Sequence, residues 1–371
     1  MTLSLNERDR RYHAIRAMME KRGLSLLIVA SNAMSPGHIR YFANFPTQAR
    51  HTFMLFPKEE DPTLFVPTRI QEQVASDPQA WVKDSRFASN FPEALGKRIR
   101  ELDPKNKNMG LVGVENMTPK MYEHLLKEVL SSTFFEVTKE IYQIRMIKSN
   151  EEQALARHCA QITDQLFSRI KEVAKAGMSE FDVYAEIEYF LRKQKAEGGF
   201  NLIASGLFPF APFITPSERV LRPEDSLLLE LTPRYRGYYT QLAAVHPLQG
   251  PSPKMRELLD ITFTAQKAGL NVLKPGYRAG DVARAMKEVV EKAGYTMPYR
   301  GGHSLGHEHT EPPEVVETDE TPLKPGMTLV IHPSARAKTG EGVFFGDTYL
   351  VTESGWERLN STFSADTTNR D

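Results

Sequence analysis

Apolar and polar positions follow two different rhythms along the chain, and the change falls near residue 145. In the first part, Ile15, Met18 and Met19 recur at helical spacing within the polar stretch 7–22, Gly23 supplies a stop signal, and residues 24–30 read as a buried strand. Residues 51–57 and 63–66 repeat the short apolar pattern around the turn Lys58-Glu59-Glu60-Asp61-Pro62, and a further strand at 109–114 precedes a helix at 119–130. Alternating helices and strands without a glycine-rich phosphate loop predict an α/β domain with no chemistry of its own.

After residue 145 the pattern lengthens. Ala154, Leu155, Cys159, Ile162, Leu166, Ile170 and Val173 form one stripe of a helix over 150–175. Ser179, with Asp182 three residues on, opens a second helix. Strands are expected at 202–204, 226–231 and 238–245, helices at 254–272 and 279–293, and strands at 328–332 and 342–351. Helix, helix, strands, repeated once, predicts two related halves around a mixed sheet. No short-period repeat is visible. The division is 1–145 and 146–371.

Composition changes this picture little. A chain of 371 residues with 40% hydrophobic and 25% charged residues is globular and long enough for two cores. Its 47 basic residues balance 47 acidic ones, which leaves no electrostatic footprint for nucleic acid. The single cysteine, Cys159, excludes an internal disulfide and a cysteine zinc site, and its place on an apolar stripe marks a buried thiol. The charged N-terminus lacks the apolar core of a signal peptide, and no stretch is long and apolar enough to span a membrane, so a cytoplasmic protein is expected.

Chemistry concentrates late in the chain. Four of ten histidines fall between 303 and 332, three of them in Gly301-Gly302-His303-Ser304-Leu305-Gly306-His307-Glu308-His309-Thr310-Glu311-Pro312-Pro313. Glycines allow close backbone approach, and imidazoles offer either metal ligation or proton transfer. His332 ends an apolar strand. Glu230 follows Leu227-Leu228-Leu229, where a carboxylate costs several kcal/mol unless it is paired or bound.

On these motifs the chain resembles the creatinase, prolidase and aminopeptidase P superfamily. The resemblance runs in order through residues 142–152, Ile203-Ala204-Ser205-Gly206, residues 230–239, the His303 loop, residues 324–333 and residues 342–348. It implies a fold of α/β (α+β) class, with a creatinase-type N-terminal domain followed by a pita-bread catalytic domain. It also implies the positions of five metal ligands, two aspartates, one histidine and two glutamates. Those positions carry Glu230, Gln241, His303, His332 and Gly346 here. Only the histidine is kept, so a two-metal peptidase is not expected. The family's substrate-loop histidine falls at Phe213, and its strand arginine at Ala244.

Three functions follow from the resemblance. The first is a creatinase-like hydrolase without metal or other cofactor, cutting an amide or amidine C–N bond of a small molecule. There His303 or another loop histidine, such as His309, moves protons, and Glu311 with Glu230 positions substrate and water. The second is a single-metal enzyme holding Fe, Zn or Mn on Glu230, His303 and His332, with His307 or His309 as a further ligand. The third is a binding protein without catalysis. Phe208, Phe210, Phe213, Tyr235, Tyr238 and Tyr239 supply aromatic pocket walls, with Phe213, Tyr238, Gln241 and His307 expected to touch substrate. Resemblance to creatinase further implies a homodimer, in which Arg50 meets a substrate carboxylate.

Overall fold

The computed structural model describes residues 3–74, 80–104, 107–129, 132–210 and 215–361. It divides into two compact units, Met1–Arg145 and Met146–Asp371.

In the first unit, helix Leu5–Arg22 is opened by the Ser4 side chain and closed by Gly23 in the left-handed conformation. It leads into the fully buried strand Leu26–Ser31, the centre of a six-stranded sheet. The order across that sheet is Asp84–Phe87, Thr63–Val66, Thr52–Pro57, Leu26–Ser31, Asn108–Val112 and Thr133–Glu136. Leu26–Ser31 pairs antiparallel with Thr52–Pro57 and parallel with Asn108–Val112, so the sheet is mixed. Apolar side chains from alternate positions fill a core on each face: Leu27, Val29 and Phe56 on one, Ile28, Ala30 and Leu55 on the other.

The second unit begins with helix Asn150–Val173, whose capping box joins Ser149 and Glu152. Helix Glu180–Lys193 starts with the same device from Ser179 and Asp182. The three-stranded sheet that follows runs Leu242–Pro247, Ser226–Leu231, Leu202–Gly206. Helices Pro253–Asn271 and Ala279–Lys292 separate it from a five-stranded sheet ordered Glu311–Glu314, Gly302–Ser304, Thr328–Ile331, Asp347–Val351, Trp356–Arg358. One bridge, Ala243 to Gly346, ties the two sheets together.

Two expectations change. The ladders described in this unit are antiparallel, whereas a mixed sheet was expected. The helix pair Pro253–Asn271 and Ala279–Lys292 lies between the two sheets in chain order, and among the described residues of this unit no helix connects two neighbouring strands of one sheet, so no parallel crossover arises. The run 238–245 is also two strands, Tyr238–Tyr239 and Leu242–Pro247, because the backbone of Gln241 leaves the ladder to bond the side chain of Thr348. The run 342–351 breaks in the same way at Phe345-Gly346.

Among the described residues no helix is long and apolar enough to cross a membrane.

Candidate functional site

The sheets of the second unit meet around a cavity of about 280 Å3. Strand Ser226–Leu231 brings Glu230, between Leu202 on one neighbour and Ala243 on the other. Gln241 is fixed beside it by the exchange in which its N–H donates to Thr348 Oγ1 and the Thr348 hydroxyl donates back to its carbonyl, both at 2.9 Å. From the second sheet come His303, paired across from Val330, and His332, which follows Ile331 and donates its N–H to Gly301 O at 2.8 Å. Gly302 makes this pairing possible: a Cβ there would lie 2.1 Å from Val330 O.

Electrostatics follow from burial. The Glu230 carboxyl is pushed up from 4.5 to about 7 by desolvation, opposed by the nearby Arg300 guanidinium. Among the described residues no donor bonds it. His303 is held well below the ordinary imidazole range by burial and by His332, and His332 is lowered by burial to about 3. Both rings are therefore neutral at neutral pH. Nδ1 of His303 lies 3.0 Å from Ser304 O, and a carbonyl only accepts, so Nδ1 carries the proton and Nε2 is an acceptor. The two rings sit edge to face, 5.3 Å between centroids. Nε2 of Gln241 and Nδ1 of His332 are buried without a partner among the described residues.

His309 lines the same cavity, stacked on Phe200 at 4.4 Å, and burial lowers its pKa. Phe344 packs against His332 at 4.8 Å. Gly346 is closed off: a Cβ there would meet Cβ of His332 at 2.3 Å. A Cβ there would also lie 2.6 Å from Cα of His332 and 2.7 Å from Ile331 O, so the neighbouring backbone leaves no room for a side chain at 346.

Other expected residues lie elsewhere. Glu311 does not line the cavity; its Oε1 accepts the N–H groups of His307 and Glu308 at 2.8 and 3.1 Å, and its Oε2 faces buried Lys148 Nζ at 3.7 Å. His307 places Nδ1 3.0 Å from Gly237 O, against the Tyr238 ring. The Tyr238 hydroxyl donates to Glu152 Oε1 at 2.7 Å, within the core. Phe213 lies outside the described residues, and Arg50 is an exposed residue of the first unit. The lining instead includes Phe200, Tyr299 and Arg300, none of which the sequence reading singled out. Arg300, directly before Gly-Gly-His303, carried a usable signal, since a cation beside a glycine pair and a histidine sits where backbone approaches a ligand. Its guanidinium bonds Glu314 at 2.8 Å and the Thr310 hydroxyl at 3.2 Å.

Comparison with known proteins agrees with this architecture. Residues 154–353 match the metallopeptidase family M24 model, and residues 11–147 match the creatinase/prolidase N-terminal domain. A Xaa-Pro dipeptidase of Pyrococcus furiosus is 28% identical over 308 residues, covering 82% of this chain and 85% of its own. An uncharacterized peptidase of Staphylococcus epidermidis is 27% identical over 339 residues, covering 88% and 92%. The fold is shared with the prolidase from Pyrococcus horikoshii, at TM-score 0.84 and 24% identity over 96% of this chain and 99% of that one. It is also shared with the X-Pro aminopeptidase from Thermotoga maritima, at TM-score 0.86 and 21% identity over 94% and 97%.

Proposed function

We propose, from the premise that the chain belongs to metallopeptidase family M24, that this hydrolase cleaves an amide or amidine C–N bond of a small molecule by acid–base chemistry, in the manner of creatinase. The observation that carries the reading is Glu230, buried and poised near neutrality between neutral imidazoles. A base whose pKa matches the working pH takes a proton most effectively. In this scheme the Glu230 carboxylate takes a proton from water as the water oxygen bonds the substrate carbon. The same proton then passes to the leaving nitrogen as the C–N bond breaks. Nε2 of His303 accepts a hydrogen bond from water or from a substrate N–H, and the unpartnered Gln241 amide donates to the oxygen or nitrogen that gains charge.

The two-metal centre implied by the family does not fit this donor set. Two divalent cations need several anionic oxygens. The corresponding positions supply one carboxyl that is half protonated near pH 7, one amide, two imidazoles and, at Gly346, no room for a side chain. Among the described residues no three His, Cys, Asp or Glu side chains converge as metal ligands.

A second reading, a single Fe, Zn or Mn ion on Glu230, His303 and His332, is favoured by the two rings facing one cavity 5.3 Å apart, and it needs these three side chains to draw together on the ion. Metal analysis of protein purified without chelator, run beside hydrolysis of creatine, amidines and small amides, separates the two. The acid–base reading expects turnover that rises through about pH 7, survives chelator and falls at least ~100-fold in Glu230→Gln. Turnover that follows one equivalent of bound metal and disappears with His332→Ala overturns it in favour of the second. Ligand binding without turnover overturns both.

A further inference from the structure

Phe344 lines the cavity around Glu230, while its neighbour Phe345 lines a second cavity of about 400 Å3 in the same unit. This one lies between helix Pro253–Asn271 and the strands Asp347–Val351 and Trp356–Arg358. Its apolar walls are two edge-to-face pairs, Phe263 with Phe345 at 4.5 Å and Tyr349 with Trp356 at 5.3 Å. The charged lining is Lys267 and Arg358, and among the described residues no acidic side chain lines it.

Arg358 is the informative residue. Its Nη2 donates to Asp347 Oδ2 at 2.7 Å, yet its Nε is buried with no partner among the described residues. An unpaired donor on a charged group favours an anionic ligand over a neutral apolar one. A cationic ligand meets two like charges, with only the Asp347 carboxylate behind them. The second cavity is also joined to the first: Gln266, on its lining, donates Nε2 to the carbonyl of Ile331, the residue before His332, at 3.1 Å.

We propose that this cavity is a binding site for a small aromatic carboxylate, its ring against Phe345 and Trp356 and its carboxylate at Lys267 and the Arg358 guanidinium. The volume suits a single ring on a short chain. The assignment stands independently of the chemistry at Glu230.

Calorimetric titration of the full chain with 3-phenylpropionate and with its neutral amide, 3-phenylpropanamide, tests it. The acid is expected to bind at least roughly tenfold more tightly than the amide, and Lys267→Glu, on an exposed helix position, is expected to weaken the acid roughly tenfold. Trp81→Phe leaves Trp356 as the only tryptophan, and its emission, excited where the ligand is transparent, is expected to change with the same Kd. Equal affinity for acid and amide, an unchanged Kd in Lys267→Glu, unmoved Trp356 emission, or no binding of the acid below about 5 mM each overturns the proposal.

Discussion

Two of the glutamates buried in the second unit, Glu311 and Glu230, have opposite surroundings. Glu311 opens the strand Glu311–Glu314 after the histidine-rich segment, with Lys148 facing one oxygen and two backbone N–H groups bonding the other. Glu230 sits on strand Ser226–Leu231 and lines one cavity with the His303 and His332 imidazoles, with no donor bonding it among the described residues and a pKa raised to about 7. The first arrangement satisfies a charge and fixes a loop. The second leaves a carboxyl divided between its two protonation states at neutral pH, which costs stability and makes a proton available for transfer. On the proposed reading one residue type serves structure in one place and chemistry in the other, and the partners make the difference.

Removing a partner tests the contrast most severely. Lys148→Ala takes away the cation that faces the buried Glu311 carboxylate, and a loss of about 3–5 kcal/mol in unfolding free energy is expected from chemical denaturation. Glu230→Gln is expected to act in the opposite direction. The folded-state pKa of Glu230 lies above its unfolded value, so its contribution is fully present below about pH 4.5 and is lost as pH rises through about 7. The variant is therefore expected to gain on the parent across that window, reaching on the order of 3 kcal/mol at pH 8, while hydrolysis is lost. Denaturation at pH 4.5 and pH 8 measures both ends.

Smaller effects sharpen the picture. Gly346→Ala forces a Cβ into His332 and is expected to cost about 1–3 kcal/mol. His332→Gly in the same chain should recover part of that cost, since the clash is between these two positions. Tyr238→Phe removes the hydroxyl that donates to Glu152, with an expected loss of about 1–2 kcal/mol and an unchanged KM, because Tyr238 lies away from the cavity. A rise in KM would return Tyr238 to the substrate.

The contrast between the two glutamates was half legible in the sequence. Glu230 announces itself, because a carboxylate directly after three leucines in a strand needs a reason, and the strand Ser226–Leu231 lies where the pattern puts it. Glu311 gives no such sign. Its partner Lys148 is 163 residues earlier, and long-range pairing leaves no periodic trace. The capping boxes at Ser149 and Ser179 could be anticipated because their partners lie within one helical turn. Strand Asp84–Phe87 could not, since its half-buried residues carry no apolar alternation. The breaks at Gln241 and Gly346 were equally hidden, because each depends on a residue from the opposite sheet, Thr348 for one and Ala243 for the other. Membership of the family was readable from ordered motifs, whereas the emptiness of position 346 gains its meaning only from the contact with His332.

The central claim is that Glu230 titrates near neutrality as a carboxyl without a cation bound to it. Difference infrared spectra of the protein against Glu230→Gln, recorded across pH 4 to 9, follow that single carboxyl band directly. A protonated carboxyl is expected that disappears with a midpoint near pH 7. A band already ionised at about pH 4.5 or below, as for a carboxylate held by a metal ion, would contradict it.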